Sequence, residues 1–224
     1  MLNIYRSTVG KKVIMAVTGL IGIAYVILHM AGNLQVFAGR EKINAYAALL
    51  HGPGAELLWL VRVVLLVAVV LHVVAAYQLT RLARRARPIA YQKRDPQVST
   101  LASRTMRWGG GLLLVFIVLH LLHFTTRQVD PAGWANRVDG SGRYDIYGNV
   151  VASFRIWWIT AFYLAAMAAL GLHLWHGLWS FGRSLGVAQP SDQPLKRRFA
   201  ILLAVIIWFG FSVVPIAIIS GVIR

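Results

Sequence analysis

The sequence predicts an all-α membrane protein in which five transmembrane helices form one domain over 1–224, and three observations predict it. Of its 224 residues, 58% are apolar and only 13% charged, whereas soluble domains carry about 45–50% and about 25%. The mean hydropathy is +0.64. Five apolar runs each approach the roughly 20 residues needed to cross about 30 Å of hydrocarbon, and none alternates in the manner of a barrel strand. Cysteine is absent, which removes thiolate ligands for an iron–sulfur cluster or zinc and rules out disulfides.

The first span, 13–34, follows Lys11 and Lys12. Val36-Phe37-Ala38 resembles a signal-peptidase site, but the run exceeds the roughly 7–15 residues of a signal h-region and contains an ionisable side chain, so it is retained as a helix. The second, 57–79, has only Arg62, His72 and Gln78 as strongly polar interruptions. The third and fourth cover 106–124 and 156–181. The fifth, 199–222, holds Pro215, which predicts a kink, and no histidine.

Between the spans, the 127–155 connection contains DPAGW and DGSGRYDIYGN, turn-forming runs that predict a small folded loop. The 81–104 connection is basic and contains Pro88 and Pro96, which suits anionic lipid or a peripheral subunit. The net charge is +16. With the N-terminus inside, fifteen of the 23 Lys and Arg fall on the inner side, so the positive-inside rule predicts a cytoplasmic N-terminus and an outer C-terminus in the cell membrane. The charge thus follows topology, and nucleic acid is not expected as a partner.

Six of the seven histidines lie in four of the five spans. Ionisable residues at membrane depth are costly and mark function. At 1.5 Å per residue, His29 lies about 24 Å and His120 about 20 Å from their inner helix starts, near the outer face. His72 and His173 lie about 22–26 Å from their outer starts, near the inner face. Two pairs at two levels result, about 15–20 Å apart. Facing neutral imidazoles ligate a six-coordinate b haem, and two haems would make a transmembrane electron path. Zinc is the weaker reading, because each level offers two histidines and no carboxylate unless His123 and His176 join. Gly19, Gly22, Gly109, Gly110, Gly111 and the alanines around Gly171 suggest room for a flat ligand or, equally, close helix packing.

The runs ILHMAGNLQVFAG, VVLHVVAAYQL, MRWGGGLLLVFIVLH and GLHLWHGLWSF resemble the single-chain, five-helix, diheme cytochrome b anchor of succinate dehydrogenase and fumarate reductase. The resemblance covers nearly the whole chain. It implies two haem b, with His29 and His120 on the outer iron and His72 and His173 on the inner one, His123 and His176 being second choices. It also implies an iron–sulfur subunit and a flavoprotein subunit as partners, electron delivery to a quinone (menaquinone), and no flavin or iron–sulfur cluster in this chain. Candidates to hold haem propionates are Lys12, Arg107 and Arg183 on the inner side and Arg62, Arg127 and Arg155 on the outer. Quinone candidates are Tyr46, His51 and Glu56 outside, and His176 and Trp179 inside. Competing readings are the anchor of a quinol:fumarate reductase or another dehydrogenase, and a non-redox transporter with buried histidines.

Overall fold

The computed structural model describes residues 7–86, 100–186 and 193–224. Among these, five helices are long and apolar enough to span a membrane: Thr8–Ala38, Ala55–Arg85, Leu101–Thr125, Trp157–Ser184 and Pro194–Ile219. Five spans are therefore present, most helices extending several residues beyond the expected bounds, whereas the fifth stops at Ile219, short of the expected 222, and the fourth starts at Trp157, one residue late. Of the basic 81–104 connection, 87–99 lies outside the described residues, Pro88 and Pro96 with it.

Helix α1, Thr8–Asn33, starts where the Ser7 hydroxyl accepts from the Gly10 N–H at 2.9 Å, satisfying a donor that the first turn leaves unpaired. It tightens into a 3-10 turn over Leu34–Ala38 and ends at Gly39, whose φ of 92° a side chain would resist. Helix α2, Arg40–His51, occupies what the sequence suggested was only a connection. Helix α3, Ala55–Arg85, carries His72. Helix α4, Leu101–His120, begins with a reciprocal capping box between Thr100 and Ser103. It runs directly into a π turn over Leu121–Thr125, closed by the Thr126 N–H on the Leu121 carbonyl at 2.8 Å. The 127–145 loop folds around one antiparallel bridge between Val138 and Tyr144 and leads into α5, Ile146–Phe154, capped by Asp145. Helices α6, Trp157–Ser184, and α7, Gln193–Ile219, complete the chain, α7 continuing through Pro215 for a further turn.

Packing follows small residues and apolar seams. The closest helix pairs are α6 with α7, α1 with α3, and α4 with α6. On the α6–α7 seam Leu174, Leu178, Ala200, Ala204 and Ile207 are buried together, and Gly171 lets the Trp208 side chain approach. A second core, at the end of the bundle where α2 and α5 lie, joins Val36 and Ile43 to Val151, Phe154, Tyr163 and Ile218. Large apolar side chains such as Leu28, Leu57 and Leu66 are exposed along the spans; in lipid these surfaces are solvated rather than costly.

Candidate functional site

Two pairs of imidazoles meet inside the bundle. His29 of α1 and His120 of α4 bring their ring centroids to 5.8 Å with planes at 80°. His72 of α3 and His173 of α6 lie 6.1 Å apart at 53°. Neither pair sits at a close helix contact, since α1 packs on α3 and α4 on α6. The rings face each other across interhelical space.

At the His72 level, the ring's Nδ1 lies 3.1 Å from the Met15 carbonyl and 3.1 Å from the Thr18 hydroxyl. Thr18 donates its own proton to the Ile14 carbonyl at 2.7 Å. A carbonyl only accepts, so Nδ1 carries the proton and Nε2 keeps its lone pair. Each ring of this pair is faced by a glycine of a neighbouring helix: a Cβ on Gly19 would stand 3.5 Å from the His72 Cε1, and one on Gly110 3.9 Å from the His173 Cε1. Gly22, Gly109 and Gly111 have open space where a Cβ would be. A cavity of about 300 Å³ between α4 and α6, lined by Met106, Trp108, Gly109, Ala169 and Leu172, reaches His173. The His173 Nδ1 is buried without a hydrogen-bond partner, as is that of His176.

At the other level the environment is aromatic. Tyr25 stacks on His29 at 5.3 Å, with Phe211 5.8 Å away; Phe116 and Phe124 flank His120 at 5.5 and 5.7 Å. His123 points elsewhere, its Nδ1 3.0 Å from the Tyr163 hydroxyl and its Nε2 3.0 Å from the Ser153 hydroxyl. The π turn separates the two roles, because its extra residue per turn lets His120 face His29 while His123 turns toward α5 and α6. Among the described residues, no three His, Asp or Glu side chains converge as a metal-binding group.

The family model for the succinate dehydrogenase/fumarate reductase transmembrane subunit matches residues 81–213, more than half of the chain. The chain belongs to that family. It is therefore a multi-pass membrane subunit of a redox enzyme complex. No curated protein and no solved structure matches it.

In this transmembrane subunit the remaining candidates fall into separate groups. Near His29, Tyr46 of α2 packs against Gly32, where a Cβ would be 3.1 Å from its ring. His51 donates or accepts within its own helix end, Nδ1 to the Ala47 carbonyl at 2.9 Å, which makes Nδ1 the donor. Its Nε2 then accepts from Arg62 at 3.5 Å, and that guanidinium also lies 5.0 Å from the Trp59 ring. Glu56 is exposed on the first turn of α3. At the other end, Trp179 stands between His176, 6.5 Å away, and the Arg183 guanidinium, 4.1 Å above its ring. Lys12, Arg107 and Arg155 are exposed, whereas the neighbouring Lys11, not singled out from sequence, is only 9% accessible. Arg127 adopts φ 58° and lays its guanidinium 3.6 Å from the Tyr144 ring; one of its terminal nitrogens is buried without a hydrogen-bond partner.

A cap of polar side chains from α2, the 127–145 loop and α5 covers this end. The buried Asp145 carboxylate accepts from Arg40 at 2.9 Å, Asn44 at 3.1 Å, the Trp134 indole at 3.1 Å and the Gly148 N–H at 3.1 Å. Asp139 accepts from Asn44 and Arg143, and Arg143 also forks onto Glu41. Burial pushes the Asp139 carboxyl up, but hydrogen bonds from Arg143, Ser141 and Asn44 outweigh it and hold it down at about 2. The hydrogen bond from Arg143 likewise lowers Glu41, and both carboxylates raise Arg143. A depressed carboxyl stabilises the fold above its ordinary value and loses that contribution as pH falls through its folded one. Hydrogen exchange of the 127–145 loop, corrected for its intrinsic pH dependence, is therefore expected to stay constant from neutrality to about pH 4 and to accelerate toward pH 2.

Proposed function

We propose that the chain is the cytochrome b membrane anchor of a succinate:quinone oxidoreductase, taking electrons from an iron–sulfur subunit and passing them through two b haems to a membrane quinone, menaquinone. The observation that carries the reading is the two-level pairing of His29 with His120 and of His72 with His173 in a member of this family. With ring centroids 5.8 and 6.1 Å apart, each pair of imidazoles would leave room between the two rings for one metal ion bonded to both at about 2 Å. The glycines beside both rings of the inner pair and the unpartnered Arg127 nitrogen fit the same group, a flat macrocycle with acidic substituents. When bound, each haem supplies a one-electron carrier inside the membrane.

The residues have distinct tasks in this account. Met15 and Thr18 fix the His72 tautomer so that Nε2 is the ligand atom. His123, engaged at both nitrogens, is not a ligand. Arg127 binds an outer propionate, with Arg62 and Arg155 as further outer contacts and Lys12, Arg107 and Arg183 as inner ones. Tyr46, His51 and Glu56 serve a quinone on the outer side, His51 donating from Nδ1 to the Ala47 carbonyl and accepting from Arg62 at Nε2; His176 and Trp179 are the inner alternative. The N-terminus lies in the cytoplasm, where the iron–sulfur and flavoprotein subunits dock.

Anaerobic optical spectra of the purified complex test this reading. Succinate is expected to reduce b-type bands that an added quinone then reoxidises. Bands that respond only to quinol and fumarate would assign the opposite physiological direction, and an absence of b-type bands would overturn the reading. The glycine contacts carry a separate expectation. Gly19→Leu puts a branched side chain against the His72 ring and is expected to remove about half of the bound haem, whereas Gly22→Ala, with open space around its Cβ, leaves the content unchanged.

A further inference from the structure

His123 is buried, and neither the ligand set nor the quinone site uses it, yet it belongs to a continuous chain of hydrogen bonds. Asn149 and Ser153 of α5, His123 of the π turn and Tyr163 of α6 are all at most 8% accessible. The Ser153 hydroxyl donates to the Asn149 side-chain carbonyl at 3.3 Å. Ser153 must then accept from the His123 Nε2–H at 3.0 Å, so the His123 Nδ1 bears the lone pair and accepts from the Tyr163 O–H at 3.0 Å. The phenol oxygen, its proton committed to His123, presents its lone pair toward the His120 Nδ1, 3.5 Å away. The other end of the chain demands the same direction: if Nε2 of His120 is a ligand atom, its Nδ1 carries the proton and needs an acceptor.

We infer that Tyr163, oriented by His123 and Ser153, is a positioning residue that accepts from the His120 Nδ1–H, fixing the tautomer of the outer ligand and raising its basicity. This rests on His120 being a haem ligand. It is the counterpart, built from side chains, of what the Met15 carbonyl and Thr18 do for His72. A more basic axial imidazole favours the ferric state, so losing the acceptor raises the potential of that haem alone.

Redox titration of the haems in the purified complex tests it, with His29→Ala identifying which of the two midpoints belongs to the outer haem. Tyr163→Phe, which keeps the ring volume, is expected to shift that midpoint upward and leave the other in place. Ser153→Ala retains the phenol and cuts the chain at its far end; a smaller upward shift of the same midpoint is expected, together with a changed low-spin electron paramagnetic resonance signal from that haem. Should Tyr163→Phe fail to assemble, Ser153→Ala decides the matter. Unchanged midpoints in the assembled variants, or a shift of the haem that survives in His29→Ala, would overturn the inference while leaving the ligand assignment standing. A wild-type complex without haem would overturn the ligand assignment and the inference together.

Discussion

Alanine at His72 and alanine at His173 are each expected to remove the same haem, halving the haem content, while His29→Ala and His120→Ala each remove the other. The ring centroids of the two pairs lie 5.8 and 6.1 Å apart, close enough for both rings of a pair to hold one iron, so deleting either leaves a single imidazole that cannot hold a six-coordinate low-spin iron. The double variant His72→Ala with His173→Ala should lose no more than either single one, since both act on one group. His123→Ala should retain both haems, because its ring nitrogens already bond to Tyr163 and Ser153. Haem content and low-spin signals of these six variants check this. Loss of one shared haem by His29→Ala and His72→Ala would mean that the pairing is wrong.

The second large effect is expected at Asp145, far from the imidazoles. Its carboxylate is 3% accessible and receives four donors from α2, the 127–145 loop and α5. Asp145→Ala leaves Arg40, Asn44, the Trp134 indole and the Gly148 N–H without their acceptor, and removes the cap of α5. Loss of charge-assisted bonds together with stranded buried donors costs on the order of 3 kcal/mol. Thermal unfolding in detergent should fall by several degrees, with Asp145→Asn intermediate because it retains one acceptor oxygen. Gly148 supports the same arrangement, since a Cβ there would overlap the Trp134 indole and the Asp145 carboxylate. An unchanged midpoint for Asp145→Ala would show that this polar cap does not hold the helices together.

The spans were legible because hydropathy reports burial in lipid directly, and their ends ran long because Thr8–Lys12 and Thr80–Arg85 stay helical beyond the apolar window. Helix α2 was not legible. Its sequence REKINAYAALLH is mixed in character, and what anchors it is tertiary: Asn44 reaching Asp139, Asp145 and the Tyr147 N–H. Depth arithmetic set His29 level with His120 and His72 level with His173, and those rings lie close together. The partners of the histidines could not be read in the same way. Met15 contributes only a carbonyl, Thr18 looks like an ordinary helix residue, and the separation of His123 from His120 depends on a π turn whose sequence, LLHFT, carries no breaker. Tyr163 was the one partner with a usable signal, a hydroxyl placed near the start of the fourth span.

Haem b per chain in the purified complex, measured by pyridine haemochrome absorbance against protein concentration, tests the central claim most directly. The account predicts two. A folded, haem-free complex would contradict it and return the four imidazoles to helix packing.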